Sequence, residues 1–133
     1  GRRVGVDTGS TGDIWATAAQ GRYGFSSLAR YEGLAPAMLD LQSRRIDAYL
    51  SDIPSLLYYA KDKPFLRVAE RIETGERYAL MLAKGSAVLE PLNAALSELK
   101  RDGTLAALHE KWFGQAPAPG SSTVTVLPRP QAP

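Results

Sequence analysis

Arg3-Val4-Gly5-Val6-Asp7-Thr8-Gly9-Ser10-Thr11-Gly12 reads as a short buried strand over Arg3 to Val6 that runs into a Gly/Ser/Thr turn. A helix follows from Thr11 to Gln20, with Gly21 as its expected stop. A strand that enters a helix through such a turn presents the first backbone N–H groups of the helix, which have no intrahelical partner, together with the positive end of the helix dipole. That combination favours an anionic group such as a carboxylate or phosphate.

The rest of the chain extends this strand–helix pattern. A second strand is expected around Leu28 to Tyr31, and Gly33 with Pro36 opens a helix that runs to about Arg45. Ile46 to Leu50 is a third strand, ending at Ser51-Asp52-Ile53-Pro54, where a helix through Leu56, Leu57 and Tyr59 begins. Leu66 to Ala69 and Tyr78 to Leu82 read as further strands, with the polar loop Glu73-Thr74-Gly75-Glu76 between them. Strands alternating with short helices predict an α/β fold with a mostly parallel sheet flanked by helices. From Ser86, read as an N-cap, the period changes: Leu89, Leu92, Leu96 and Leu99 lie on one helical face. Asp102-Gly103 breaks that helix, and a shorter one carries Leu105, Leu108 and Trp112 to Gly114. Residues 115–133, rich in Pro, Ala, Ser and Gly, read as a flexible tail in which Thr123-Val124-Thr125-Val126 forms a strand only if it meets an open sheet edge.

Bulk properties remove several function classes. The chain has 133 residues, 44% of them hydrophobic, and a net charge of +2, which fits one globular domain and gives no basic stripe for nucleic acid. With no cysteine and a single histidine, His109, disulfides, thiolate chemistry and a typical zinc site are excluded, and no cofactor is expected. No apolar run reaches the ~18 residues of a membrane span. The abrupt start at Gly1 predicts a mature product or a trimmed fragment.

Two places carry chemistry. At the first turn, Thr11 offers a backbone N–H and a hydroxyl to an anion; the plainer alternative is a strand-to-helix connection capped by Ser10 or Thr11. The Lys-Ser/Thr ending of a nucleotide P-loop is missing, and so is the three-glycine dinucleotide fingerprint. Asp52, at a strand end where open parallel sheets bind ligands, suits either a ligand ammonium or helix N-capping. Asp47, inside the preceding strand, suits a structural salt bridge. Trp15 reads as packing, and His109, beside Glu110 and Lys111, as a solvated or partly packed helix residue far from any candidate nucleophile.

Taken together, these stretches resemble the family 3 solute-binding proteins of amino-acid ABC transporters. The resemblance runs through Gly1-Arg2-Arg3-Val4-Gly5-Val6-Asp7-Thr8-Gly9-Ser10-Thr11-Gly12, Arg45-Ile46-Asp47-Ala48-Tyr49-Leu50-Ser51-Asp52-Ile53-Pro54, and Glu76-Arg77-Tyr78-Ala79-Leu80 into Ala83-Lys84-Gly85-Ser86. It closes on Leu92-Asn93-Ala94-Ala95-Leu96, Leu99-Lys100-Arg101-Asp102-Gly103-Thr104-Leu105 and Lys111-Trp112-Phe113-Gly114. It implies one lobe of the type II periplasmic binding protein fold with C-terminal helices. Ser10 and Thr11 would hold the α-carboxylate of an amino acid and Asp52 its α-ammonium. It also implies an extracytoplasmic or periplasmic location, delivery to a membrane permease and no catalysis. A cyclohexadienyl dehydratase-like enzyme and a receptor's ligand-sensing domain are the alternatives.

The departures matter as much. The chain begins where the second lobe of such a protein begins, so residues 1–75 correspond to lobe two and 76–114 to a crossover strand and helices that complete lobe one. At Ser43-Arg44-Arg45 the family commonly has a glycine before the arginine. Leaving Leu89, Leu92, Leu96, Leu99, Leu105, Leu108 and Trp112 uncovered would forfeit on the order of 10 kcal/mol. Repacking, or a homodimer or domain swap through the C-terminal helices, is therefore expected.

Overall fold

In the computed structural model, which describes residues 1–128, the strand β1 (Arg3–Asp7) lies between two parallel neighbours, β2 (Ser27–Tyr31) and β3 (Ala48–Leu50). Val4 faces Leu28 and Ala48 across the ladder, and Val6 faces Arg30 and Leu50. The helix α1 (Thr11–Tyr23) connects β1 to β2, and α2 (Leu34–Gln42) connects β2 to β3. Parallel strands require such crossovers. One face of β1 presents Val4 and Val6 to a core with Ala16, on which Trp15, Phe25, Leu28 and Leu50 pack. The opposite face carries Gly5 and Asp7. The α/β class with a parallel sheet and flanking helices is the expected one.

Several boundaries differ from the sequence reading. Gly21 does not stop α1, which runs on to Tyr23 and closes on Gly24 in the left-handed conformation (φ 64°), whose N–H donates to Gln20 O at 2.8 Å. The helix tolerates Gly21 at a cost near 1 kcal/mol, because the residue that ends a helix is the one able to adopt the left-handed cap. Helix α2 ends at Gln42 rather than near Arg45, because Arg44 turns left-handed (φ 57°) and Arg45 N donates back to Asp40 O at 2.8 Å. Arg44 is the one described non-glycine residue with positive φ, and it stands where the resemblance led to the expectation of a glycine. The departure and the backbone conformation are the same fact.

The contacts divide the chain into two units, Gly1–Leu56 and another starting at Leu57, so the division falls inside α3 (Ile53–Ala60). The second unit contains α4 (Leu89–Arg101) and α5 (Thr104–Phe113), which pack on each other. Asp102 Oδ1 accepts from Thr104 N at 2.8 Å and Gly103 is left-handed (φ 83°), which makes the expected break. Gly114 (φ 73°) closes α5 as expected.

Residues 66–69 and 78–82 adopt no regular secondary structure, and Thr123–Val126 lie in a turn region rather than a strand. Their strand-like composition is real, but a strand exists only when another backbone satisfies its N–H and C=O groups. Among the described residues from Leu57 onward no other strand is available. Ser86 accepts a turn bond from Leu89 N at 3.2 Å, while the N-cap position falls to Val88 without a side-chain cap. In this second unit Leu57 is the one described residue that is buried. The tail expected at 115–133 lies partly outside the described residues.

Gly5 sets the tightest constraint in the sheet. A β-carbon there would lie 2.7 Å from Ile46 Cδ1, 2.8 Å from Tyr31 Cε2 and 3.3 Å from Tyr49 Cδ2. Gly5→Ala is therefore expected to destabilise the protein by about 1–3 kcal/mol, read as a lower urea midpoint at unchanged slope.

Candidate functional site

The C-terminal ends of the three strands lie along one edge, and the turn after β1 sits there. Thr8 N and Thr8 Oγ1 both donate to Tyr31 O, at 2.9 and 3.1 Å. Ser10 N donates to Asp7 O at 3.1 Å, which folds the turn back toward the strand. Ser10 is the N-cap of α1: its Oγ accepts from Asp13 N at 3.1 Å. The cap reading and the anion reading are compatible for this hydroxyl. Accepting one bond leaves its own O–H to donate. Thr11 is the first residue of α1, so both members of the expected anion pair stand at the helix N-terminus.

The sequence reading missed what locks this turn. Asp13, buried in the first turn of α1, accepts from Gly9 N at 3.1 Å through Oδ2. It also receives both-oxygen contacts from Arg30 Nε, at 3.1 and 2.9 Å. Arg30 Nη2 lies 2.9 Å from Asp13 Oδ1 and donates to Thr17 Oγ1 at 3.0 Å. The Arg30 guanidinium first, and the Gly9 N–H second, hold the Asp13 carboxyl below its usual range. The signal was present: Ser10 followed by an acid three residues on is the spacing of a capping box.

Asp52 occupies the start of α3, where its main-chain oxygen accepts from Leu56 N at 3.1 Å. Its side chain is exposed. Structure and sequence agree on its place at a strand-to-helix junction on the same edge as the turn. The two junctions are neighbours: a β-carbon on Gly12 would lie 3.5 Å from Leu50 Cγ and 3.6 Å from Leu50 O, two residues before Asp52.

Between them lies a second group the sequence reading did not single out. Asp7, the last residue of β1, accepts from Tyr49 Oη through Oδ1 and from Ser51 Oγ at 2.9 Å through Oδ2. Burial first, and the bond to Asp7 second, push the Tyr49 phenol above its usual range. Asp47 takes the structural role expected of it, accepting from Arg3 N at 2.8 Å and pairing with the Arg3 guanidinium at 3.0 Å. Trp15 packs on the core and on Tyr23 (ring centroids 5.6 Å apart), and His109 on Phe113 (4.8 Å), with Nδ1 2.9 Å from Gln115 O.

A separate groove of about 570 Å³ lies within the second unit, lined by Leu57, Ala60, Lys61, residues 66–71 and residues 113–115. None of Ser10, Thr11 or Asp52 lines it. Among the described residues no group of His, Asp or Glu is arranged to hold a metal ion.

Comparison with known proteins identifies the relatives of the chain. The family model for bacterial extracellular solute-binding proteins, family 3, matches residues 9–115. The L-cystine-binding protein TcyJ of Escherichia coli (strain K12) is 34% identical over 117 residues, covering 86% of this chain and 42% of that protein. ABC transporter arginine-binding protein 1 of the same organism is 31% identical over 121 residues, covering 86% of this chain and 49% of that protein. Among solved structures, an ancestral arginine-binding protein bound to arginine superposes with a TM-score of 0.64 at 33% identity, covering 86% of this chain and 51% of that one. The chain thus spans about half the length of these relatives.

The Asp13–Arg30 pair has a measurable pH signature. A carboxyl whose pKa is lowered by folding contributes stability above its ordinary pKa of about 3.9, and loses it as pH falls toward the folded value. Asp13→Asn is expected to lower the melting temperature by several degrees at pH 7, with the gap to wild type closing as pH falls below about 4. A gap that stays constant with pH, in melts followed by circular dichroism, would show that the pair does not act through ionisation.

Proposed function

The chain belongs to the bacterial extracellular solute-binding proteins, family 3, and from that we propose that it carries one half of an amino-acid site serving an ABC transporter permease. In this reading Ser10 and Thr11, at the N-terminus of α1, receive the ligand α-carboxylate through hydroxyl and backbone donors. Asp52 receives the α-ammonium through a charge-assisted hydrogen bond. The observation that carries it is the meeting of these two junctions at one sheet edge, Gly12 against Leu50.

The relatives add a consequence. By name they bind cystine, arginine and, in Neisseria gonorrhoeae, probably histidine, side chains of different size and charge. Residues that hold only the α-carboxylate and α-ammonium read what all amino acids share. We therefore assign discrimination among side chains to groups outside Ser10, Thr11 and Asp52. No covalent step is assigned to the site, and the protein is placed outside the cytoplasmic membrane. Among the described residues no helix is long and apolar enough to cross a membrane.

Residues 1–75 are assigned to lobe two and 76–114 to the segment that completes lobe one. Support comes from the apolar face that α4 and α5 leave uncovered: Leu89, Leu108 and Trp112 are 44%, 42% and 49% exposed. In the isolated chain of 133 residues a second copy covers that face. Light scattering after gel filtration is expected to report a dimer. A monomer that binds no apolar dye would overturn the assignment.

Binding is tested in the full-length protein by calorimetry with L-arginine, L-cystine and L-histidine. Asp52→Asn is expected to raise Kd for the amino acid that binds by about 10- to 100-fold, the loss of one hydrogen bond between charged groups. Unchanged affinity would remove Asp52 from the site.

A further inference from the structure

We propose that Asp7 is the positioning residue of this site, the joint that holds the Ser51-Asp52 segment against the Ser10-Thr11 turn. The inference rests on the reading of those residues as an amino-acid site and adds a residue to it that does not touch the ligand.

The geometry is that of a single residue bonded to both halves. The main-chain oxygen of Asp7 accepts from Ser10 N at 3.1 Å and so fixes the turn. Its carboxylate accepts from Ser51 Oγ at 2.9 Å and from Tyr49 Oη, and so fixes the end of β3. The ladder explains why side chains take this task. Register between β1 and β3 covers only Val4, Val6 and the glycine between them, opposite Ala48 to Leu50. One step further on, Asp7 and Ser51 stand beyond the last ladder pair, and two hydroxyl-to-carboxylate bonds continue the connection that the backbone has dropped.

Tyr49 reaches Asp7 because of Gly5. The two residues are register partners, and the Tyr49 ring lies against the position a Gly5 β-carbon would occupy, with Tyr31 edge-on to it at 6.4 Å between centroids. A side chain at residue 5 would push that ring off the strand. The charge of Asp52 also acts on the Tyr49 phenol, so Asp7, Tyr49 and Asp52 belong to one electrostatic neighbourhood. The phenol stays protonated at neutral pH and remains a fixed donor.

Asp7→Asn, Asp52→Asn and the double variant of the full-length protein form a cycle, with L-arginine, L-cystine and L-histidine as probes in calorimetry and melting temperature measured beside it. Asp7→Asn is expected to raise Kd about tenfold in the otherwise wild-type protein. In the Asp52→Asn background the same change is expected to leave Kd unaltered, because the charged acceptor that Asp7 positions is gone. A merely structural role would lower the melting temperature and shift Kd equally in both backgrounds; that result overturns the proposal, as does an unchanged Kd in the single variant. Should Asp7→Asn fail to fold, Ser51→Ala takes its place in the cycle with the same expectation. A wild-type protein that binds none of the probes overturns the amino-acid reading itself and this inference with it, whereas wild-type binding with additive variants overturns the role of Asp7 alone.

Discussion

Parallel pairing of β1 with both of its neighbours is the constraint on which the rest depends. A parallel strand cannot return through a tight turn, so each strand here is followed by a helix that carries the chain back across the sheet. The three strands therefore end, and α1, α2 and α3 start, on the same edge. The consequence is chemical as well as topological. Helix N-termini, with their unsatisfied N–H groups and positive dipole ends, collect beside strand ends whose last side chains have left the ladder. Ser10, Thr11, Asp7, Ser51 and Asp52 come together for that reason, although more than forty positions separate the first from the last.

A helix N-terminus that is to receive an anion faces a difficulty when its own first turn contains a carboxylate. Asp13 stabilises α1 by accepting from Gly9 N, yet its charge would repel a ligand carboxylate nearby. Arg30 resolves the conflict. Its Nε bridges both Asp13 oxygens, at 3.1 and 2.9 Å, from the neighbouring strand β2. The capping benefit is kept while the charge is neutralised in place. The position of Arg30 also follows from the sheet: it is the register partner of Val6 and lies on the face that α1 covers. The buried Asp13 carboxylate is the group that needs a partner, and the more exposed Arg30 supplies it.

How much of this was legible in the sequence depends on which forces decide each element. The first half was legible because its signals are local. Val4 and Val6 alternate with smaller or polar residues, Ser10 precedes a helix, and Pro36 and Pro54 stand in first helical turns. The junctions that carry Ser10, Thr11 and Asp52 were legible for the same reason, since a strand-to-helix junction can be read without its neighbours. Asp7 and Arg30 were not. Their partners, Tyr49, Ser51 and Asp13, lie 17 or more positions away in sequence, and nothing local marks which of many acids and arginines will meet.

The second half shows the opposite limit. Leu66-Arg67-Val68-Ala69 and Tyr78-Ala79-Leu80-Met81-Leu82 have strand composition, and composition is all that a local reading can supply. A helix satisfies its own hydrogen bonds, so α4 and α5 form as their leucine spacing predicts, with almost nothing buried beneath them. A strand depends on a neighbour, and its propensity expresses how well it fits a pleated, half-buried surface rather than an autonomous preference. Met81, 96% exposed, is a side chain suited to such a surface, and no strand forms around it among the described residues. The same asymmetry separates the two kinds of evidence in this chain: helices report their own sequence, whereas strands report the company they keep.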